Sequence, residues 1–270
     1  MLAIIGGSGL TRLSTLAVAR REVVRTPYGD PSSALVFGRI AGRDSVFLAR
    51  HGHGHTIPPH RVNYRANLWA LKGRGATAVI AVASVGGIRG HRPGELVLPH
   101  QLIDYTWGRG QTFFDGGDRK VVHVDFTHPY TPALREDCLA AAKAAAIPLA
   151  DRGVYGAVQG PRLETAAEID RMDRDGATIV GMTGMPEAAL AREIELPYAA
   201  ICVVVNDAAG RGDSAQAISM DQLVATLDAG MSKVRALLDV LVPSVADKAD
   251  AIPPSAPEQP PPSKKEETPS

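Results

Sequence analysis

The stretch SVFLARHGHGHTIPPHRVNYRANLWALKGRGATAVIAVAS, residues 45–84, decides the fold. SVFLA (45–49) and AVIAVAS (78–84) are short apolar runs rich in β-branched residues, the pattern of strands buried in a sheet. Between them, residues 63–74 carry Leu68, Trp69 and Leu71 in a helical pattern. Strand, loop, helix and strand in that order predict a parallel or mixed sheet covered by helices. The same alternation continues outward. LAII (2–5), ALVFGRI (34–40), ATIVGM (177–182) and AAICVVV (199–205) read as further strands. Residues 131–146, 164–175, 185–193 and 219–242 read as helices. The last carries Met220, Leu223, Leu227, Met231, Val234, Leu237, Leu238 and Leu241 at spacings of three and four. The prediction is a single α/β domain over residues 1–243, with ligands taken at the carboxyl ends of the strands.

Composition narrows the classes. The chain has 270 residues, 45% of them hydrophobic, so a large core can form. Lysine plus arginine equals aspartate plus glutamate, 29 each, which leaves no basic excess to attract nucleic acid. Cys138 and Cys202 are the only cysteines and form no CxxC, which argues against a disulfide framework or a thiolate zinc site and suits a reducing cytoplasm. The opening MLAIIGGSGL lacks the basic segment of a signal peptide, and no run approaches the roughly 18 apolar residues of a membrane helix. Composition breaks near Pro243. Residues 244–270 hold seven prolines and almost no large apolar side chain, and are expected to form a disordered tail. A proline-rich docking segment is the alternative.

Six pieces can carry chemistry. IIGGSGL (4–10) is a glycine turn after the first strand, able to bring backbone amides and the Ser8 hydroxyl to an anion, but without the spacing of a dinucleotide or P-loop motif. His51, His53, His55 and His60 crowd the next loop. A zinc site would need three or four ligands, and no HExxH, cysteine or nearby acid supports one. Arg50 and His51 fit better as donors to an anion, a planar fork beside an imidazole N–H, with a solvated polar loop as the plain alternative. AVASVGGIRG (81–90) offers Ser84 and the amides after it. YGAVQGPRLETAAEID (155–170) ends a strand at its Gly-Pro turn and projects Leu163 and Glu164 from the strand's end where a helix starts, although a simple helix-start acid is an equal reading. VGMTGMPEAALARE (180–193) offers Met182 and Thr183 after a strand. CVVVNDAAGRGDS (202–214) ends a strand on Asn206-Asp207, and an amide there can both donate and accept toward a heterocycle.

The order of these pieces resembles the trimeric purine nucleoside phosphorylase and methylthioadenosine phosphorylase family. The likeness runs over residues 2–242 and is carried by IIGGSGL, TPYGDPS (26–32), LARHGHGHTIPPHRVNYRANLWALK (48–72), RPGELV (92–97), GPRLET and VGMTGMPEAALARE. The resemblance implies a partly barrel-like sheet, no metal or organic cofactor, and inorganic phosphate as co-substrate. It implies a homotrimer with sites at subunit boundaries and small-molecule ligands only. Ser8, Arg50, His51, Ser84 and Thr183 would surround the phosphate, Met182 would lie along the ribose, and Leu163 on the purine face. His123 would reach into a neighbouring subunit's pocket. Adenine-cleaving members carry an Asp-x-Asp pair where this chain has Asn206 and Ala208, with Asp207 between. They also usually carry serine where it has Glu164. Both departures point to a 6-oxopurine, since Asn206 can donate to O6 or N7 and Glu164 can accept from N1–H. At the sugar end, Met220 and Leu223 stand where relatives that take inosine place a histidine, which suits a 5′-methylthio group. The implied reaction is phosphorolysis of 5′-methylthioinosine to hypoxanthine and 5-methylthioribose 1-phosphate. Asn206 would assist the departing base, with Asp207 as a possible acid or as a group polarising Asn206. Methylthioadenosine, or inosine and guanosine, are the alternative substrates.

Overall fold

The computed structural model describes residues 1–115 and 120–251. Its first strand, β1 (Leu2–Gly6), shows why these sequences make a two-sided sheet. Successive side chains point to opposite faces. Ala3 and Ile5 enter one hydrophobic cluster, and Leu2 and Ile4 enter another on the opposite face. After β2 (Ala17–Glu22), β3 (Leu35–Ile40) and β4 (Arg43–Ala49), the chain enters α1 (Tyr64–Gly73). Asn63 caps α1 by accepting from the Ala66 amide at 3.1 Å. Next come β5 (Ala78–Gly87), β6 (Leu96–Leu98), β7 (Gln101–Asp104) and α2 (Pro132–Ala144). The remainder is β8 (Leu149–Asp151), β9 (Val154–Ala157), α3 (Ala166–Asp175), β10 (Ile179–Gly181), α4 (Gly184–Glu193), β11 (Tyr198–Asp207) and α5 (Met220–Ala251). Helices α1 and α4 pack on one face, and α2 and α5 on the other.

The eleven strands form one mixed sheet that forks at β5. One edge of β5 pairs with β1 in parallel over Ala78–Ala81 and then with β10 in antiparallel at Gly86 and Gly87. Its other edge pairs with β11 along most of its length. The pairings among the described strands branch and do not close into a ring, so the barrel-like expectation becomes an open, forked sheet. The fork places the ends of β5, β10 and β11 side by side. In β11 the register against β5 shifts between Val204 and Asn206. Such a bulge re-aims the side chains that follow it.

Helix α5 departs from the expected boundary at residue 243. It carries Pro243 within it and runs on to Ala251. Proline costs a backbone hydrogen bond and bends a helix, but it need not end one whose next turn is anchored. Val245 packs against the core, Ser244 Oγ donates to the Leu241 carbonyl, and ion pairs join Asp247 to Arg43 and Lys248 to Asp137. Composition misjudged this turn because mostly polar contacts hold it. The part of the expected tail from residue 252 onward lies outside the described residues. Among the described residues, no helix is long and apolar enough to cross a membrane.

Candidate active site

A cavity of about 560 Å³ opens where β5, β10 and β11 end. Ser8, Arg50, His51, Ser84, Leu163, Glu164, Met182, Thr183, Asn206 and Leu223 all line it, drawn from segments up to 215 residues apart (223 − 8). The family resemblance had grouped these residues, and a cavity of this volume falls in the roughly 300–1,000 Å³ range of small-molecule sites.

One end of the cavity is built on Arg50, which is 1% exposed. Its Nε and Nη2 donate to the two carboxylate oxygens of Glu187, each at 2.7 Å, and its Nη1 donates to the Val82 carbonyl at 2.9 Å. Glu187 is fully buried and also accepts from the Tyr198 hydroxyl at 2.8 Å. Burial opposes the guanidinium charge, but the Glu187 carboxylate outweighs it and raises the arginine's pKa. Arg50 is therefore always protonated, yet its charge is already balanced. The glycine turn has a role beyond its amides. A Cβ on Gly7 would stand 2.9 Å from Arg50 Nη1 and 2.6 Å from the Val82 oxygen, so only glycine lets the guanidinium come this close.

His51 differs from its expected part. Its Nδ1 lies 2.8 Å from the Ile57 carbonyl. A carbonyl only accepts, so Nδ1 carries the hydrogen. Burial, followed by the neighbouring Arg50 charge, pushes the ring's pKa down to about 4 despite the Ile57 bond. Near neutrality the ring is uncharged and its Nε2 is an acceptor, not the donor envisaged. His55, which sequence reasoning assigned no role, also lines the cavity. Its ring packs 4.6 Å from that of His51, and its Nε2 lies 3.5 Å from Ser8 Oγ. His53 is exposed, and among the described residues no group of histidine, cysteine and acidic side chains is placed to hold a metal.

At the opposite end, Glu164 proves not to be the helix-start acid. Thr165 and Glu168 form the capping box of α3: the Thr165 hydroxyl accepts from the Glu168 amide at 3.1 Å, and the Glu168 carboxylate accepts from the Thr165 amide at 2.8 Å. The motif T-x-x-E was legible in the sequence and would have assigned the cap to Glu168. Glu164 is left facing the cavity, where burial raises its pKa, with Glu168 adding repulsion. Leu163, 41% exposed, forms an apolar shelf beside it.

The β11 bulge explains how Val205 and Asn206, adjacent on a strand, both line the cavity. Asn206 Nδ2 donates one hydrogen to the Asp207 carbonyl at 2.6 Å, leaving its second N–H and its oxygen for a ligand. Asp207, expected beside it, is turned away. Its carboxylate accepts from the Asp213 amide at 3.0 Å and so holds the 207–213 loop. The alternation of side chains past the bulge sends consecutive residues to opposite sides. Met220 is also outside the cavity, 60% exposed at the first residue of α5. The helix meets the cavity only at Leu223, and its next ridge residue, Leu227, abuts Gly9. His123 is exposed and away from this chain's own cavity.

Arg109 had no signal in the sequence. Its guanidinium donates to the carbonyls of Met182 at 2.8 Å, Gln159 at 2.9 Å and Val158 at 3.1 Å, and to that of Met185. It ties the loop after β9 to the loop after β10, and so fixes the wall that carries Leu163, Glu164, Met182 and Thr183. Gly160, at φ +59°, completes that wall: a Cβ there would lie 2.4 Å from Met182 Sδ.

An α/β sheet whose strand ends enclose a cavity with polar side chains at one end and an apolar shelf, an amide and a carboxylate at the other has the form of a small-molecule site. The chain belongs to the phosphorylase superfamily, whose family model matches residues 1–242. A probable S-methyl-5′-thioinosine phosphorylase of Pseudomonas syringae pv. tomato is 54% identical over 237 residues, 87% of this chain and 96% of that one. A 6-oxopurine nucleoside phosphorylase of Pyrococcus furiosus is 46% identical over 215 residues, 77% of this chain and 80% of that one. Among solved structures, methylthioadenosine phosphorylase from Schistosoma mansoni in complex with adenine superposes with a TM-score of 0.87 at 32% identity, covering 91% of this chain and 92% of that one.

Proposed function

We propose that the chain is a pentosyltransferase that cleaves S-methyl-5′-thioinosine with inorganic phosphate, giving hypoxanthine and 5-methylthioribose 1-phosphate. The observation that carries the reading is Glu164. It is a partly buried carboxylate, not engaged in helix capping, that shares a cavity with the Asn206 amide. A carboxylate drawn partly out of water gains from a donor on the ligand. The N1–H of a 6-oxopurine supplies one, whereas N1 of adenine is an acceptor. The second Asn206 N–H meets O6 or N7 without the acceptor-to-acceptor conflict an aspartate would create. At the sugar end, Ile57, Val205 and Leu223 give the cavity apolar walls suited to a thioether. Leu223 takes this part without Met220. The names of similar proteins agree, with thioinosine phosphorylases among relatives of 50% identity or more.

In the reaction the bond between the anomeric carbon and the purine nitrogen breaks, its electron pair leaves with the base, and a phosphate oxygen bonds the same carbon. Positive charge gathers on the sugar, and the phosphate below it is both nucleophile and counter-charge. The hydroxyls of Ser8, Ser84 and Thr183 and the free N–H groups of Arg50 donate to phosphate oxygens. His51 Nε2 accepts from the phosphate hydroxyl, which leaves the unprotonated oxygens for donors and for attack. Asn206 stabilises charge on the departing purine. Asp207 acts on this step only by shaping the loop that follows Asn206. The working form we propose is a cytoplasmic homotrimer in which a neighbour's His123 completes each cavity, and sedimentation checks its size.

The test is a product assay with phosphate and three substrates: methylthioinosine, methylthioadenosine and inosine. Hypoxanthine released fastest from methylthioinosine, only with phosphate present, supports the reading. Faster release of adenine from methylthioadenosine overturns the base assignment, and faster cleavage of inosine overturns the sugar assignment.

A further inference from the structure

Glu187 lies in the first turns of α4, five residues beyond Met182, and does not line the cavity. It is nonetheless the most deeply enclosed carboxylate named around the site, at 0% exposure. An unpaired charge so placed would be costly, and Arg50 answers it through a two-pronged ion pair. The count of donors is informative. A guanidinium has five N–H bonds. Glu187 takes two of them along the Nε–Nη2 edge, and the Val82 carbonyl takes one from Nη1. One hydrogen remains on each terminal nitrogen, a pair on the end of a group that lines the cavity. Tyr198, stacked on Tyr130 with ring centroids 6.0 Å apart, fixes the carboxylate from behind. The guanidinium therefore cannot swivel without breaking two charged hydrogen bonds.

We propose that Glu187, braced by Tyr198, is a positioning residue for the phosphate co-substrate: it orients Arg50 so that only the outer pair of N–H groups faces the cavity, and it cancels the arginine's charge so that the oxyanion is held by directed hydrogen bonds. This rests on the reading that phosphate binds beside Arg50. The consequence is a split between substrates. Glu187 acts on one end of the cavity, and nothing in its contacts reaches the walls that would hold base and sugar.

Steady-state kinetics on the full chain, varying inorganic phosphate and methylthioinosine separately, test it. Glu187→Gln offers Arg50 a single oxygen and sets an NH₂ group against its other donor. The KM for phosphate is expected to rise about tenfold or more, with the KM for the nucleoside within about twofold, as the loss of one charged two-pronged contact implies. A role purely in folding would move both constants together. Arg50→Lys, alone and combined with Glu187→Gln, shows whether Glu187 works through Arg50. A double variant no worse than Arg50→Lys supports the proposal, and additive losses overturn it. If Glu187→Gln does not yield folded protein, Tyr198→Phe removes only the bracing hydroxyl. A phosphate KM raised with the nucleoside KM unchanged then supports the proposal, and no change in either overturns it. A parent enzyme that cleaves no nucleoside with phosphate would instead overturn the proposed function.

Discussion

Two ionisable side chains lining this cavity have pKa values displaced from their ordinary range, in both cases chiefly by burial. Glu164 is an acid whose charged form is disfavoured by its surroundings, so it gains most from a ligand that donates to it. Glu164→Gln should exchange that demand for an amide that can present either its oxygen or its NH₂ to the base. Methylthioinosine then loses its charged partner, while methylthioadenosine gains a donor for N1. The ratio of kcat/KM values should move toward methylthioadenosine by about 10- to 100-fold, the value of one or two buried polar matches. An unchanged ratio would place Glu164 away from the base edge. His51 gives the second residue-scale prediction. Its pKa falls from the usual 6.5 to about 4, first through burial and then through Arg50. Between those values the unfolded chain binds the proton and the folded chain does not, so stability falls as pH drops from about 6.5 toward 4. Urea midpoints measured across that window should fall less steeply for His51→Gln than for the parent. The Arg50-His51 pair was legible because a charged fork after a buried strand is rare. The role of its imidazole was not, because the acceptor that fixes the tautomer, Ile57 O, is a backbone atom six residues on.

The elements most legible in the sequence were those with one strong period. β1, β3, β4, β5, β10 and β11 are apolar runs, and the five helices begin within two residues of where the sequence places them. The strands missed were β2, exposed along most of its length, and the three- or four-residue β6, β7 and β8, too short for a period to show. Their pairing is set by partners far away in the chain. The same limit hid the bulge at Val205: the sequence shows a continuous apolar run, and only the register against β5 reveals the extra residue. It also hid Arg109, which acts on backbone carbonyls that no residue identity betrays. Helix α5 failed for another reason. Its last turns have little apolar content, so composition separated them from the core they touch. Ending the chain after Val242 removes two surface ion pairs and the partly buried Val245, the latter worth about 1–2 kcal/mol. At roughly 2–4 °C per kcal/mol for a domain of this size, the melting temperature should fall by several degrees. Ending it after Ala251 should leave the melting temperature unchanged, and equal losses from both truncations would show that stability resides beyond the helix.

At the scale of the molecule, the forked sheet makes one site from segments that no local signal connects. β5 borders β1 and β11 near its start and β10 and β11 at its end, so one strand carries Ser84 and, two residues on at Gly86, pairs with Asn206 just past the β11 bulge. Ligand binding at this junction touches most of the sheet and should therefore stabilise the whole domain. Phosphate at about 100 times its dissociation constant contributes about 2.7 kcal/mol, which corresponds to a rise of roughly 5–11 °C in melting temperature. The electrostatics add a distinguishing feature. Formal charge sums to zero over the chain, and the one buried guanidinium of the cradle is already paired with Glu187. Long-range attraction then plays little part in phosphate capture, and short hydrogen bonds inside a buried cradle are poorly screened by salt. Raising sodium chloride from about 50 to 300 mM should change the KM for phosphate by less than about twofold, whereas an exposed, unpaired arginine would weaken steeply over that range. A strong salt dependence would mean that the Arg50–Glu187 pair opens when phosphate arrives, and that the cation, not the geometry of its free edge, holds the anion.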